Sequence, residues 1–379
     1  MLKQIGLYIH IPFCLKKCNY CDFVSFDYKE ENANLYFKAL NKEINLYKDL
    51  LSKYSIKTIF FGGGTPSIIN IKDLCNIIDN IYKNFSVLSD IEFTIECNPG
   101  TIDEEKLKKY KSFGINRLSI GLQSFNNEIL KFIGRIHTKE IFERNYLLAR
   151  NIGFDNINID LIYGLPNQSL SDWKNTLKKV VNLKPEHISA YSLKIEEGTR
   201  FYDLYKDGNL NLPEEEIDRQ MYHYAIDYLK ENNIYQYEIS NFAKRGYECR
   251  HNIIYWQNEE YVGLGLSAHS YINSIRYGNT SDLKSYYNFL NNSKLPIDFK
   301  ELKKRDDKIV ETMFLGLRMN DGVGIQKFKE KFNATPFDVY GKKLYKLQEM
   351  GLIDIDDKNI KLTKYGMDVS NRVFVELLL

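Results

Sequence analysis

Hydrophobic positions along the first half of the chain alternate between two periods. Short apolar runs of the buried-strand type occur at residues 5–11 (IGLYIHI), 58–61, 91–96, 117–121, 156–162 and 187–193. Between them the spacing changes to that of amphipathic helices, at residues 33–53, 71–85, 101–113, 139–152 and 169–183. Thr101-Ile102-Asp103-Glu104 has capping-box form and opens the third helix. Six strands alternating with helices predict a parallel sheet with crossover connections. Six units are too few for a closed eight-fold barrel, so the expected class is α/β, a curved and open partial (β/α)6 barrel. In barrels of this kind the reactive groups gather at the carboxyl ends of the strands. The cysteine loop at 14–21, the turn at 62–66, Glu96, Gln123 and Asp160 all fall at or just past predicted strand ends.

Beyond Thr199 the alternation fades. A helix is predicted over 212–232, begun by Pro213 and three Glu as the helix dipole favours. Around 282–305 charge and Asn rise and apolar content drops, which puts a boundary near 290–305. The expected organisation is a core of residues 1–200, an extension of 201–295 and a C-terminal unit of 296–379. The last reads as helices, a short hairpin at 351–363 and a final helix, a winged-helix-like, mainly helical domain.

Charge changes little in this picture. There are 52 basic and 50 acidic residues and no extended basic stripe, so nucleic acid is not an expected partner. The 28 Tyr and 22 Phe suit apolar ligand surfaces, or equally the codon bias that also enriches Lys, Asn and Ile. The N-terminus lacks a cleavable-leader pattern, and no apolar run reaches the ~18–20 residues that span a bilayer. A cytoplasmic protein is expected, with peripheral membrane contact left open.

Cys14, Cys18 and Cys21 are spaced four and three apart, with Tyr20 just before the last. Thiolates are soft ligands for zinc or iron–sulfur clusters. A closed zinc site wants four ligands, usually from paired hooks. Here Cys75, Cys97 and Cys249 are scattered. Three ligands in one loop instead suit a [4Fe–4S] cube whose fourth iron is left open, and clustered Cys in a cytosolic chain favours metal over disulfides.

This C-x3-C-x2-C loop after an N-terminal strand is the signature of the radical S-adenosylmethionine (SAM) superfamily. The chain resembles the group within it that holds oxygen-independent coproporphyrinogen III dehydrogenase and its heme-chaperone relatives, from about Tyr8 to the C-terminus. The resemblance implies that Cys14, Cys18 and Cys21 ligate the cluster, and that its open iron chelates SAM, whose reductive cleavage yields a 5′-deoxyadenosyl radical. It implies SAM contacts at Tyr8, at Tyr20 beside the adenine, and at Gly63, Gly64 and Thr65 around the methionine amino group. Glycines there let backbone approach a ligand. Glu96 suits an amine or ribose, and Arg135 a methionine carboxylate. Gln123 and Asp160 complete the matched set. Each of these residues taken alone also reads as a packing, turn or solvated polar position.

Two departures separate the chain from the dehydrogenase. The fourth Cys, two residues after the third, is Phe23 here. The dehydrogenase's N-terminal extension has no counterpart, because the chain starts four residues before its first strand. The chaperones are known by an H-N-x-x-Y-W motif, present as His251-Asn252-Ile253-Ile254-Tyr255-Trp256. Neutral imidazole is a usual heme axial ligand. His251 and Tyr255 share a face on a strand and lie one turn apart on a helix. Cys249 and His269 are rival axial ligands. The implied cofactors are therefore the cluster, SAM and heme, and the implied partners are heme-acceptor proteins such as membrane respiratory oxidases. Lys16 and Lys17 would attract an acidic flavodoxin or ferredoxin electron donor. The oligomeric state, a homodimer included, is left open.

Overall fold

The computed structural model describes residues 2–379. Six strands form where the apolar runs predict them: β1 (Lys3–Ile11), β2 (Tyr54–Gly63), β3 (Ser86–Cys97), β4 (Arg117–Gln123), β5 (Ile157–Tyr163) and β6 (His187–Ser192). They lie side by side in chain order, each pair parallel. Helices pack against them through apolar stripes. Leu74, Ile77, Ile78 and Ile81 bury one face of helix Ile71–Asn84, which Asn70 caps by accepting the Asp73 N–H. The helix expected from Thr101 begins later, at Glu104, with Asp103 as its cap. Thr101 is used instead to close a turn, its hydroxyl donating to the Asn98 carbonyl at 2.7 Å.

The sheet is twice as wide as six strands. Residues 235–302 add β7 (Tyr235–Glu238), β8 (Asn241–Ala243), β9 (Tyr261–Leu264), β10 (His269–Ile272), β11 (Ile275–Asn279) and β12 (Ile297–Leu302). The order is β12-β11-β10-β9-β1-β2-β3-β4-β5-β6-β8-β7. The segment that reads as an extension thus lengthens both edges of the same sheet. β9 runs parallel to β1, while β8 is antiparallel to β6. Residues from strand 1 to Leu290 share one core. A second core, Ile309 to Leu377, belongs to the C-terminal unit, which begins at helix Arg305–Gly316 and carries a three-stranded antiparallel sheet. Among the described residues no helix is long and apolar enough to cross a membrane.

Candidate functional site

The three cysteines sit at the carboxyl-end mouth of the barrel, just past β1. Cys14 is buried; Cys18 and Cys21 are half-buried, and all three are free thiols. Asn19 stitches the loop down. Its N–H donates to the Ile133 carbonyl (3.0 Å), its amide to the Phe132 carbonyl (2.7 Å), and its own carbonyl accepts the Phe201 N–H (2.9 Å). Tyr20 packs at 6.5 Å from the Phe201 ring, over the small apolar cluster under the loop. The Thr65 hydroxyl lies 3.5 Å from Cys14 Sγ, and Arg135 Nη1 3.6 Å from Cys18 Sγ. Arg135 Nη2 donates to Asn98 (2.6 Å) and to the Gly121 carbonyl (2.7 Å), which holds the guanidinium beside the thiols. Burial pushes the Cys14 and Cys21 thiols up, Cys21 to about 11.

The glycine turn after β2 packs against the cysteine loop itself. Gly64 N–H donates to the Ile11 carbonyl and Thr65 N–H to the Phe13 carbonyl, both at 2.8 Å. A Cβ on Gly64 would lie 2.6 Å from the Phe13 carbonyl oxygen, so close backbone approach alone demands glycine there. Gly63 adopts φ +114° and gives its N–H to Glu96 Oε2 at 3.1 Å.

Below the mouth lies a cavity of about 180 Å³, lined by Tyr8, Glu96, Arg117, Asp160, His251 and Tyr255 among others. Glu96 is pushed up to about 8, first by burial and then by Asp160. Asp160 sits in the middle of β5 rather than at its end, and points into the barrel between Ser119 (2.9 Å) and Asn158 (2.8 Å). The Tyr8 hydroxyl bonds His10 Nδ1 at 3.0 Å. Gln123, at the end of β4 with φ +69°, has a buried Oε1 with no partner. Predicted residues of five strands thus meet around one axis, in two tiers.

His251 occupies the lowest tier. Its motif folds as helix Arg250–Trp256, so the one-turn spacing to Tyr255 is realised. The helix plugs the amino-end floor of the barrel. Gly6, on whose missing Cβ Ile254 and His251 encroach, is five residues of strand below Ile11, roughly 17 Å at ~3.3 Å per residue. The imidazole is 1% exposed, and both of its nitrogens are engaged: Nδ1 with Thr58 Oγ1 and Nε2 with the Tyr255 hydroxyl, each at 2.8 Å. Burial, then Arg117 and Lys57, push it down to about 3, so it is neutral. Glu92 receives the N–H groups of Arg250 (2.8 Å) and His251 (2.9 Å), fixing the helix start. From beneath, Arg318 stacks on Trp256 at 5.5 Å and Asn258 donates to Thr312. Cys249 and His269 do not line the cavity; Cys249 is buried against Glu92 at 3.6 Å, and His269 is exposed beside Phe299.

The sequence profile of the Radical SAM superfamily matches residues 8–180, and that of the HemN C-terminal domain matches residues 304–369. The heme chaperone HemW of Bacillus subtilis is 38% identical over 97% of this chain and 97% of its own length; that of Lactococcus lactis is 37% identical over 100% and 98%. The chain belongs to the HemW family. A solved structure of Escherichia coli coproporphyrinogen III oxidase (HemN), a radical SAM enzyme, superposes with TM-score 0.87 at 26% identity, covering 100% of this chain and 90% of that one. The fold is therefore the α/β radical SAM fold with a C-terminal helical domain, as the alternation and the cysteine loop predict.

Membership of the radical SAM superfamily implies a [4Fe–4S] cluster and SAM, and the residues fit both. The donor set is three soft thiols in one anchored loop, with a cation beside it. Among the described residues no three His, Cys, Asp or Glu side chains already converge as a metal-holding group; the three thiols would hold a cluster as thiolates. The orphaned Gln123 Oε1 is an acceptor, and the second oxygen of the singly bonded Glu96 a hydrogen-bonding group, left for an incoming ligand. Sequence reasoning missed Arg117 and His137. The latter is 4% exposed, has both ring nitrogens unpartnered, and lines the mouth with Cys18 and Arg135. Its place in Gly134-Arg135-Ile136-His137 was the available signal.

Proposed function

We propose that this chain is a heme chaperone that holds a [4Fe–4S] cluster on Cys14, Cys18 and Cys21, binds SAM, and delivers heme to acceptor proteins such as membrane respiratory oxidases. The observation that carries the reading is the pairing, in one barrel, of the thiol loop with the His251–Tyr255 helix, while an exposed Phe23 stands where a fourth Cys would be. When bound, the cluster and SAM supply one-electron reductive chemistry at the mouth. The chain's part is to bind and orient. Arg135, Gln123, Glu96 and Gly63 offer one cation and several acceptors and donors to a zwitterionic cofactor, and the apolar contacts of Tyr20 suit an adenine.

Heme contact at His251 carries a condition. Nε2 reaches an iron only after the Tyr255 bond breaks and the floor helix is uncovered. Anaerobic reconstitution with iron and sulfide, followed by heme titration with and without SAM, tests the reading. A Soret band lost in His251→Ala supports it; an unchanged band removes His251 from the heme site. Acceptor delivery is tested by transfer of that heme to a heme-free oxidase.

The polar cavity between mouth and floor favours a second reading, a radical SAM enzyme acting on coproporphyrinogen or another substrate. Substrate-dependent 5′-deoxyadenosine formation under anaerobic reduction is its signature. Decarboxylation of coproporphyrinogen would overturn the significance given to Phe23.

A further inference from the structure

Arg117 opens β4, a strand of seven residues with no exposed position, and is itself 2% exposed. Its Nε is buried without a partner, and the guanidinium feels Cys249, Glu92, Tyr237 and Asp160 as neighbours without bonding to them. The nearby acids are committed elsewhere. Glu92 serves the two N–H groups at the start of the floor helix, and Asp160 serves Ser119 and Asn158. An unpaired buried charge is costly. A carboxyl such as Glu96 relieves that cost by taking a proton, but a guanidinium cannot lose one in a protein. The group faces the 180 Å³ cavity, whose space is about six waters' worth at ~30 Å³ each.

The cavity is polar in a directed way. Arg117 enters low on β4, Glu96 and Asp160 lie further along their strands, and Tyr8, Tyr191 and Tyr255 share the wall. A carboxylate matches the planar fork of a guanidinium with two parallel hydrogen bonds. A phosphate dianion would bring a second negative charge toward Asp160, which one guanidinium cannot balance. We propose that Arg117 is the anion-binding residue of a carboxylate site inside the barrel, filled by a small carboxylic acid or by a propionate arm reaching in from a larger ligand. The opposite end of the occupant, facing Asp160, carries a hydroxyl or ammonium donor. The site does not depend on the heme reading, since the full chain without heme presents it.

The test is thermal unfolding of the full-length protein with sodium propionate, against propionamide and sodium chloride at matched concentration. Propionate at ten times its Kd should raise Tm by roughly 2 °C, while propionamide and chloride should not. R117M should abolish that rise. R117K should keep part of the rise. Equal shifts from propionate, propionamide and chloride would overturn the proposal, as would an R117M that kept the propionate shift. Should R117M fail to fold, the wild-type comparison of propionate with propionamide decides. Heme and heme dimethyl ester then separate the sources. A tenfold weaker ester in wild type but not in R117M assigns a propionate arm. No ester effect in either protein, with the propionate shift intact, assigns a free small carboxylate.

Discussion

The mouth and the floor of the barrel hold the same kinds of side chain in opposite states. At the mouth, both nitrogens of His137 and Oε1 of Gln123 lack partners, and Glu96 has one. At the floor, His251 is bonded at both nitrogens and at its backbone N–H, and its helix is sealed by the C-terminal domain. Buried polar groups left unpaired destabilise a fold unless something else completes them. The mouth is therefore built to be completed by a ligand, and at Gln123 Oε1 and His137 that ligand displaces no existing bond. The floor is complete already, so a ligand that uses His251 must first compete with Tyr255 and Thr58.

The largest effect should come at the mouth. Replacing Cys14, Cys18 or Cys21 by Ala should abolish the visible iron–sulfur absorbance of anaerobically reconstituted protein. Retained absorbance would move the cluster elsewhere. At the floor, His251→Ala removes a satisfied imidazole and strands Thr58 and Tyr255, so a loss of ~3 kcal/mol in unfolding free energy should accompany any loss of heme. A change below ~1 kcal/mol in denaturant titrations would mean that this network is absent in solution.

The two tiers should also respond to pH with opposite signs. Glu96 is raised to about 8 from 4.5, so its contribution is whole below about 4.5 and is lost as pH rises through about 8. His251 is lowered to about 3 from 6.5, so its contribution is whole above about 6.5 and is lost as pH falls toward 3. Glu96→Gln should flatten the alkaline decline of Tm, sparing on the order of 4 kcal/mol at pH 8, without altering the acid side. An unchanged alkaline limb would show that Glu96 is ionised and solvated.

A smaller change sharpens the competition at His251. Tyr255→Phe frees Nε2 of one hydrogen bond worth ~1 kcal/mol, so heme affinity should rise about fivefold if iron binds that nitrogen. No rise, with His251→Ala still heme-deficient, would make the imidazole a structural support of the heme site and not its ligand. The smallest effect concerns the exposed Lys16 and Lys17. Reversing both charges should slow cluster reduction by an acidic donor protein two- to threefold at low salt, and the difference should vanish at high salt.

Much of this architecture was legible because it is local. Ile-rich runs, helical stripes and the cysteine spacing each fit within a dozen residues, and the strands β1 to β6 appear close to where those runs lie. The edges of the sheet were not legible, since residues 235–302 pair with strands more than a hundred residues away in some cases, such as β9 with β1. The motif helix was legible as chemistry but not as location. Nothing within 251–256 says that Thr58 and Glu92 will meet it. Arg117 carried a fainter signal, a charge at the head of the otherwise uncharged strand RLSIGLQ.

The sequence alone determined the repeating strand and helix units, the thiol loop and its metal chemistry, because periodicity and ligand spacing are properties of neighbours along the chain. Tertiary structure decided which polar groups were satisfied. Whether His251 is closed, Gln123 open or Arg117 unpaired depends on partners from other strands, whose arrival in the interior is fixed only when the sheet curls and excludes water.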